Sequence, residues 1–270
     1  MSGLAPSLGL VRRTVAVDLA YTMSRMRVLE RIPGNPIGIA YKQVTPYAVA
    51  LMARHLPPFN RVVGLRDGDE RHIASLIEWY RENGVSPRFE LSPGDASTSL
   101  GRELAECGYF QSDVTASLVA DPAVAAAAPR TGVVTERVMS PDVMEEFLNA
   151  YVRGWAIPDK FHDGFKANVR PWLDEPDWAL YVARVDGQVG AAAVLYVHGK
   201  VGYFADGATD PAFRGRGLHT ALLARRFADA RAAEVDLICG QAAFLSASHR
   251  NQERVGLHLL ALRAFWTGRN

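Results

Sequence analysis

The sequence predicts an α/β (α+β) protein, a mixed central sheet flanked by helices, and three observations carry that reading. Short apolar runs of strand length alternate with longer segments whose apolar residues recur at helical spacing. Two hairpin signals, Asp186-Gly187 and His198-Gly199, join strand-like runs in the second half. A glycine-rich turn, Arg214-Gly215-Arg216-Gly217-Leu218-His219, then connects a strand-like run to a long helical pattern.

In chain order, residues 10–31 place Val11, Val15, Leu19, Met23 and Met26 on one helical face, and Pro33-Gly34-Asn35-Pro36 ends it. Residues 37–44 read as a strand. Thr45-Pro46 reads as a helix start, threonine as N-cap and proline in the first position, with the helix running to about residue 56. Pro57-Pro58 stops it, and 61–65 is strand-like. Asp69 reads as the cap of a helix reaching Asn83, with Gly84 as its stop. A short strand over 88–91, a helix over 97–107 ending in Gly108, and a strand over 115–119 complete the first half. Residues 120–131 are small and proline-bounded, which predicts a linker. The domains expected are therefore 1–120 and 132–270, with 121–131 between them.

A fresh pattern starts at Gly132. Residues 133–138 read as a strand, and Ser140-Pro141 starts a helix carrying Met144, Phe147, Leu148 and Tyr151 on one face. Residues 155–172 are aromatic and irregular. A hairpin over 178–185 and 188–197 follows, then a strand over 201–206 that enters the glycine-rich turn. A helix over 217–232, a strand over 236–239, a helix over 246–255 stopped by Gly256, and a strand over 259–266 close the chain.

Composition removes several function classes. With 49% hydrophobic and 22% charged residues the chain is globular, and its formal net charge of +1 argues against a nucleic-acid binder working by bulk charge. The two cysteines, Cys107 and Cys239, lie far apart and make no disulfide framework. The seven histidines show no metal-ligand spacing, so no metal is expected. Neither a leader nor a membrane span is apparent, and the expected setting is cytoplasmic, without membrane partners.

The glycine-rich turn carries the chemistry. Two glycines let backbone approach a ligand closely, and a helix start presents free N–H groups and a positive dipole end, which suits phosphate. Arg214 and Arg216 add fixed positive charge. The turn is not a P-loop, because no Gly-Lys-Ser/Thr follows. It is not the dinucleotide motif either, because Thr220 stands where a third glycine belongs. It resembles the R/Q-x-x-G-x-G/A loop of the GNAT superfamily of acyl-CoA-dependent N-acetyltransferases. Arg214 holds the first place, Gly217 the fourth, and His219 departs from Gly/Ala at the sixth. The element order over 132–270 matches the GNAT fold, and residues 248–257 resemble the helix ending in Gly-Phe of that superfamily.

The resemblance implies acetyl-CoA as co-substrate and a small-molecule amine as acceptor. Its implied coenzyme site comprises Ala208, Thr209, Arg214, Gly215, Arg216, Gly217, Leu218, His219, Thr220 and Asn251. Oxyanion donation would come from the strand around Gly207, Ala208 and Thr209. The glutamate used as base by many relatives falls at Ala205, so the neighbouring Asp206 is the candidate base. The usual tyrosine acid falls at Gln252, leaving Tyr203, Ser248 and His249 as substitutes by proximity. His219 is read as a base or the helix cap, with the cap favoured. Trp155 and Phe161 are candidate substrate-binding residues, with His162 and Trp172 in the same stretch; core packing is the rival reading of all four. Two rival functions stay open: a non-catalytic acyl-CoA-binding or regulatory protein, and an aminoacyl-transferase. A homodimer is also open.

The first half reads as a degenerate GNAT-like copy of the second. Gly108 precedes Tyr109 as Gly256 precedes Leu257, and the same offset carries Arg214 onto Arg66. The aligned turn, Arg66-Asp67-Gly68-Asp69-Glu70-Arg71, replaces Gly217 by Asp69 and adds two carboxylates, which would repel a pyrophosphate. The alternative is an unrelated α/β cap.

Overall fold

The computed structural model describes residues 4–123 and 131–269, so most of the expected linker, 124–130, lies outside the described residues. Among the described residues are eleven strands and seven α-helices in a mixed α/β fold. They fall into two compact units, residues 5–117 with 260–269, and residues 118–123 and 131–259 with residue 4.

The N-terminal unit opens with α1 (Leu8–Glu30), started by Ser7, whose hydroxyl accepts the Leu10 N–H. Then come β1 (Ile39–Gln43), β2 (Val49–Ala53), β3 (Arg61–Val63), α2 (Ile73–Glu82), β4 (Arg88–Leu91), α3 (Thr98–Glu106) and β5 (Tyr109–Ala120). β2 pairs antiparallel with β1 and β3, and β4 runs parallel to β3. Met52, Val62, Ile73, Leu76, Tyr80, Phe89 and Leu104 fill the core between sheet and helices.

Three expectations change here. Residues 45–56 form no helix; β2 occupies them and turns back on β1. All five of its residues are buried, and an apolar run closed off on both faces carries no period that separates strand from helix. Thr45 does act through its hydroxyl, but it accepts the Ala48 N–H within the hairpin turn. Asp69 likewise caps nothing. Its carboxylate accepts the Arg66 N–H, and α2 starts four residues later after a 3₁₀ turn.

The C-terminal unit contains β6 (Val133–Arg137), α4 (Pro141–Gly154), α5 (His162–Val169), β7 (Trp178–Val185), β8 (Gln188–His198), β9 (Val201–Thr209), α6 (Leu218–Ala232), β10 (Leu237–Ala243) and α7 (Ala247–Arg254). The sheet order is β10-β9-β8-β7-β6, antiparallel except for the parallel β9–β10 pair. The Ser140 hydroxyl accepts the Val143 N–H at the start of α4. The stretch expected to be irregular holds α5, which the prolines on either side and Gly164 hide from a periodicity reading. Trp172 packs against the rings of Tyr151 and Trp178 at 1% exposure and is core.

From β1 and again from β7 the chain runs strand, strand, strand, helix, strand, helix, strand, with the same pairing senses. The last strand, β11 (His258–Gly268), was expected within the domain 132–270. From Leu260 onward its residues group with the N-terminal unit, antiparallel to β4, with Ala264 opposite Leu91 and Thr267 opposite Arg88. Arg263 anchors it there. Its guanidinium donates to Ser117 Oγ at 2.7 Å, to Asp18 Oδ2 at 3.1 Å and to Glu90, at 1% exposure.

Candidate active site

β9 positions the site by leaving its neighbours. Its ladder to β10 covers residues 201–204 against 237–240, after which β9 continues to Thr209 and β10 to Ala243. On the other side the ladder to β8 slips: Val194 faces Ala205 but Ala192 faces Ala208. Asp206 and Gly207 lie within this bulge, and Asp206 adopts φ +46. Such bulges bend a strand and re-aim its residues.

Beyond β9, Asp210 accepts the Ala212 N–H at 3.0 Å and ion-pairs with Arg153 of α4. Phe213 lies over Gly190 of β8, where a Cβ would stand 2.4 Å from its ring. Gly215 and Gly217 then take φ +75 and +86, in the left-handed region that glycine enters without strain. α6 begins immediately afterwards, and no side chain caps it. Its first internal bond goes from the Ala221 N–H to the Gly217 carbonyl, so the amides of Leu218, His219 and Thr220 have no acceptor in the helix.

Those amides line a cleft of about 680 Å³. Its other walls are Gly207, Ala208 and Thr209 from β9, Gly154 and Trp155 from the end of α4, and Ser246, Ala247, Ser248, Asn251 and Arg254 at α7. Arg214 and Arg254 contribute positive charge and the lining contains no carboxylate. Orphan amides at a helix start with two arginines and no acid make an anion site, one suited to phosphate.

A polar chain ties α7 to α6 across the cleft floor. Arg254 donates to Asn251 Oδ1 at 2.7 Å, and Asn251 Nδ2 lies 3.2 Å from His219 Nδ1. Nδ1 is therefore the acceptor, and the His219 proton sits on Nε2. Burial first, and Arg226 second, push the imidazole down to about 4, so it is neutral at physiological pH. Its Nε2 lies 3.2 Å from where a Gly207 Cβ would be. A histidine fits at 219 because β9 carries no side chain there. Asp206 receives the Tyr151 hydroxyl at 3.3 Å, and burial pushes its carboxyl up to about 7 against the pull of Arg226.

One family model matches part of the chain. Residues 123–244 match the model of the Acetyltransferase (GNAT) domain. Over these residues, just under half of its length, the chain is similar to a GNAT acetyltransferase domain.

No curated protein matches the chain. Among solved structures, a GCN5-related N-acetyltransferase from Kribbella flavida is similar with TM-score 0.71 at 16% identity, covering 98% of this chain and 97% of its own. A tandem GNAT protein from the clavulanic acid biosynthesis pathway matches with TM-score 0.63 at 16% identity over 98% and 97%. A GCN5-related N-acetyltransferase from Sphaerobacter thermophilus gives 0.60 at 16% over 95% and 90%. At these identities the likeness shows the fold, which here is a tandem GNAT fold over nearly the whole chain.

The cleft gathers Ala208, Thr209, Arg214, Gly215, Gly217, Leu218, His219, Thr220, Ser248, Asn251 and Trp155 of the residues singled out in the sequence. Arg216 is not among the lining residues; it ion-pairs with Asp186. Phe161 is exposed outside the lining, Tyr203 is buried in β9 opposite Tyr196 and Cys239, and Asp206 sits behind the lining on Tyr151. His219 does not cap α6; its ring reaches Asn251. Gln252, where relatives place a tyrosine, is turned inward. Its amide donates to Gln241 O at 3.2 Å and Ser248 Oγ at 3.3 Å, and its carbonyl fills the space above Gly240. His249 is 2% exposed and accepts the Leu245 N–H. His162 bonds the Ile157 carbonyl at 2.7 Å. Gly154, Phe213, Ser246, Ala247, Arg254, Tyr151 and Arg226 were not singled out. Only Arg226 left a trace, a charge on the apolar face that Leu222, Leu223 and Phe227 give to α6.

No helix among the described residues is long and apolar enough to cross a membrane, and no group of three metal-ligating side chains occurs among them.

Proposed function

We propose that the GNAT domain transfers an acetyl group from acetyl-CoA to the amine of a small molecule by direct attack in a ternary complex. The observation that carries this is the uncapped start of α6, whose free amides line a cleft with two arginines and no acid. Arg214, Gly215 and residues 217–220 hold the pyrophosphate, and Arg254 and Asn251 border the same anion. Residues 207–209, which lie beyond the end of the β9–β10 ladder, offer backbone N–H to the oxyanion of the tetrahedral intermediate. Asp206 takes the ammonium proton, and a carboxyl titrating near 7 is matched to that task at neutral pH. The amine nitrogen then attacks the thioester carbon, and the C–S bond breaks. The departing thiolate, of a thiol whose pKa is near ~8.5, takes the second proton that the nitrogen sheds as the amide forms, passed through water. Trp155 forms the acceptor side of the cleft.

A second reading, an acyl-CoA-binding protein without turnover, draws on the inward-turned Gln252 and on the position of Asp206 behind the lining. Titration of acetyl-CoA by calorimetry, followed by thiol release with a panel of amines, separates the two. Binding with turnover upholds transfer, binding without turnover on a broad panel upholds the second reading, and no binding removes both.

The N-terminal unit takes no coenzyme at its own turn under this proposal. Its Arg66 guanidinium stacks 3.6 Å from the Tyr47 ring centre and lies 3.7 Å from Asp95, while Asp67 and Glu70 accept from Ser99.

A further inference from the structure

Beneath the β9 bulge lies a charge that this chemistry does not use. Arg226 is 1% exposed in the middle of α6. Its Nε donates to Leu222 O at 3.2 Å within the helix, and one terminal nitrogen donates to both Val194 O at 3.0 Å and Ala205 O at 3.3 Å. Val194 and Ala205 are the last partners before the β8–β9 register slips. The guanidinium carbon lies 4.6 Å from the Phe204 ring centre, and the other terminal nitrogen is 3.8 Å from where a Gly207 Cβ would be. One side chain thus touches the residues on both sides of Asp206. It also explains Gly207 a second time, since a side chain there would meet Arg226 as well as His219.

A slipped ladder leaves buried carbonyls without their usual donors, and a guanidinium with several N–H groups in a fixed plane can serve two at once. The titratable groups facing it are Tyr181 from β7, Asp206 from β9 and His219 from its own helix, while Tyr151 of α4 approaches Asp206 from its hydroxyl. We propose that Arg226 is a positioning residue of the acetyl-transfer site, holding the bulge that presents Asp206 and the amides of residues 207–209 and setting a fixed positive charge behind them.

Its catalytic meaning rests on the acetyl-transfer reading above; its structural meaning does not. Burial lifts the Asp206 carboxyl and Arg226 opposes the lift. Removing the charge therefore lets the carboxyl rise further and stay protonated, and so inactive as a base, at neutral pH.

The test compares wild type, Arg226→Lys and Arg226→Met, with the ¹³C carboxyl resonance of Asp206 followed against pH. Arg226→Met is expected to raise the midpoint by about one unit or more, the scale of one neighbouring charge. Arg226→Lys keeps the charge and is expected to hold the midpoint near wild type, while losing the bond to one of the two carbonyls and lowering kcat. The rising limb of the kcat/KM profile should follow the carboxyl midpoint. A folded Arg226→Met with an unmoved midpoint overturns the proposal. Should that variant not fold, wild type decides: the Arg226 guanidinium ¹⁵N–¹H resonances are expected to shift as Asp206 titrates, and resonances that stay still overturn it. Acetyl-CoA titrated into the same samples keeps the two questions apart. Wild type that fails to bind acetyl-CoA removes the transfer reading, whereas binding with an unmoved Asp206 removes the role of Arg226.

Discussion

Gly217→Asp tests the cleft most directly, because it copies the residue that the N-terminal turn carries at the aligned place. Gly217 sits at φ +86 at the uncapped start of α6. A side chain in that region costs about 1 kcal/mol, and a carboxylate beside the positive end of a helix returns roughly 0.3–1 kcal/mol. Stability should therefore change by less than about 1 kcal/mol, a shift in Tm of only a few degrees. Affinity is another matter. A carboxylate about 4 Å from a phosphate repels it by about 4 kcal/mol at an effective dielectric constant of about 20. Discounted for the open face of the cleft, the expectation is a loss of acetyl-CoA affinity of about 100-fold or more, smaller at high salt because the repulsion is screened. Calorimetry with a parallel thermal melt measures both quantities. Arg216→Ala serves as the contrast, with affinity within about threefold of wild type, since Arg216 is held by Asp186 outside the lining. A folded Gly217→Asp protein that binds acetyl-CoA as wild type does would refute the assignment of the loop.

Three further outcomes are expected. Asp206 titrates near 7 in the folded chain and near the usual carboxylate value when unfolded. The unfolded state therefore releases its proton first, and wild type loses stability as pH rises from about 4 to 7. Melting curves of Asp206→Asn should thus gain on wild type between pH 5 and pH 8, and an equal gap at both values contradicts the burial described here. Gly190→Ala drives a Cβ to 2.4 Å from the Phe213 ring; denaturant titration should show a loss of about 1–3 kcal/mol together with weaker acetyl-CoA binding, and a neutral result would mean that Phe213 is free to move. Glu90→Gln leaves Arg61 and Arg263 short of a buried carboxylate and should cost about 3 kcal/mol by the same titration, with no cost counting against a buried network.

The strands of the second half were legible because each is bounded by a residue with one backbone task. Asp186 and Gly187 both take positive φ, so β7 ends just before them and β8 begins just after. The loop was legible for the same reason, through Gly215 and Gly217. What escaped detection depends on distant partners. The run that forms β2 declares itself only once both its faces are covered. Arg226 shows in the sequence only as a charge on the apolar face of α6, and its purpose appears when the bulge gives it two carbonyls. Gln252 occupies the right place in sequence for a cleft residue, yet Gly240 opens a space behind it and it turns away. Asp206 was found by adjacency to Ala205, and the burial that lifts its carboxyl had no sign in the sequence.

The placement of β11 has a consequence for the order of events during synthesis. Residues 260–268 supply the N-terminal unit with a strand against β4 and with Arg263, a buried cation that pairs with Asp18 and Glu90 beside Arg61. A ribosome releases that strand after all of residues 118–259. The half of the chain made first must wait, with two buried acids uncompensated by Arg263, while the half made second already has its strands β6 to β10. A chain cut at residue 259 would keep the bulge and the cleft of the second unit while leaving Asp18 and Glu90 in the first to Arg61 alone.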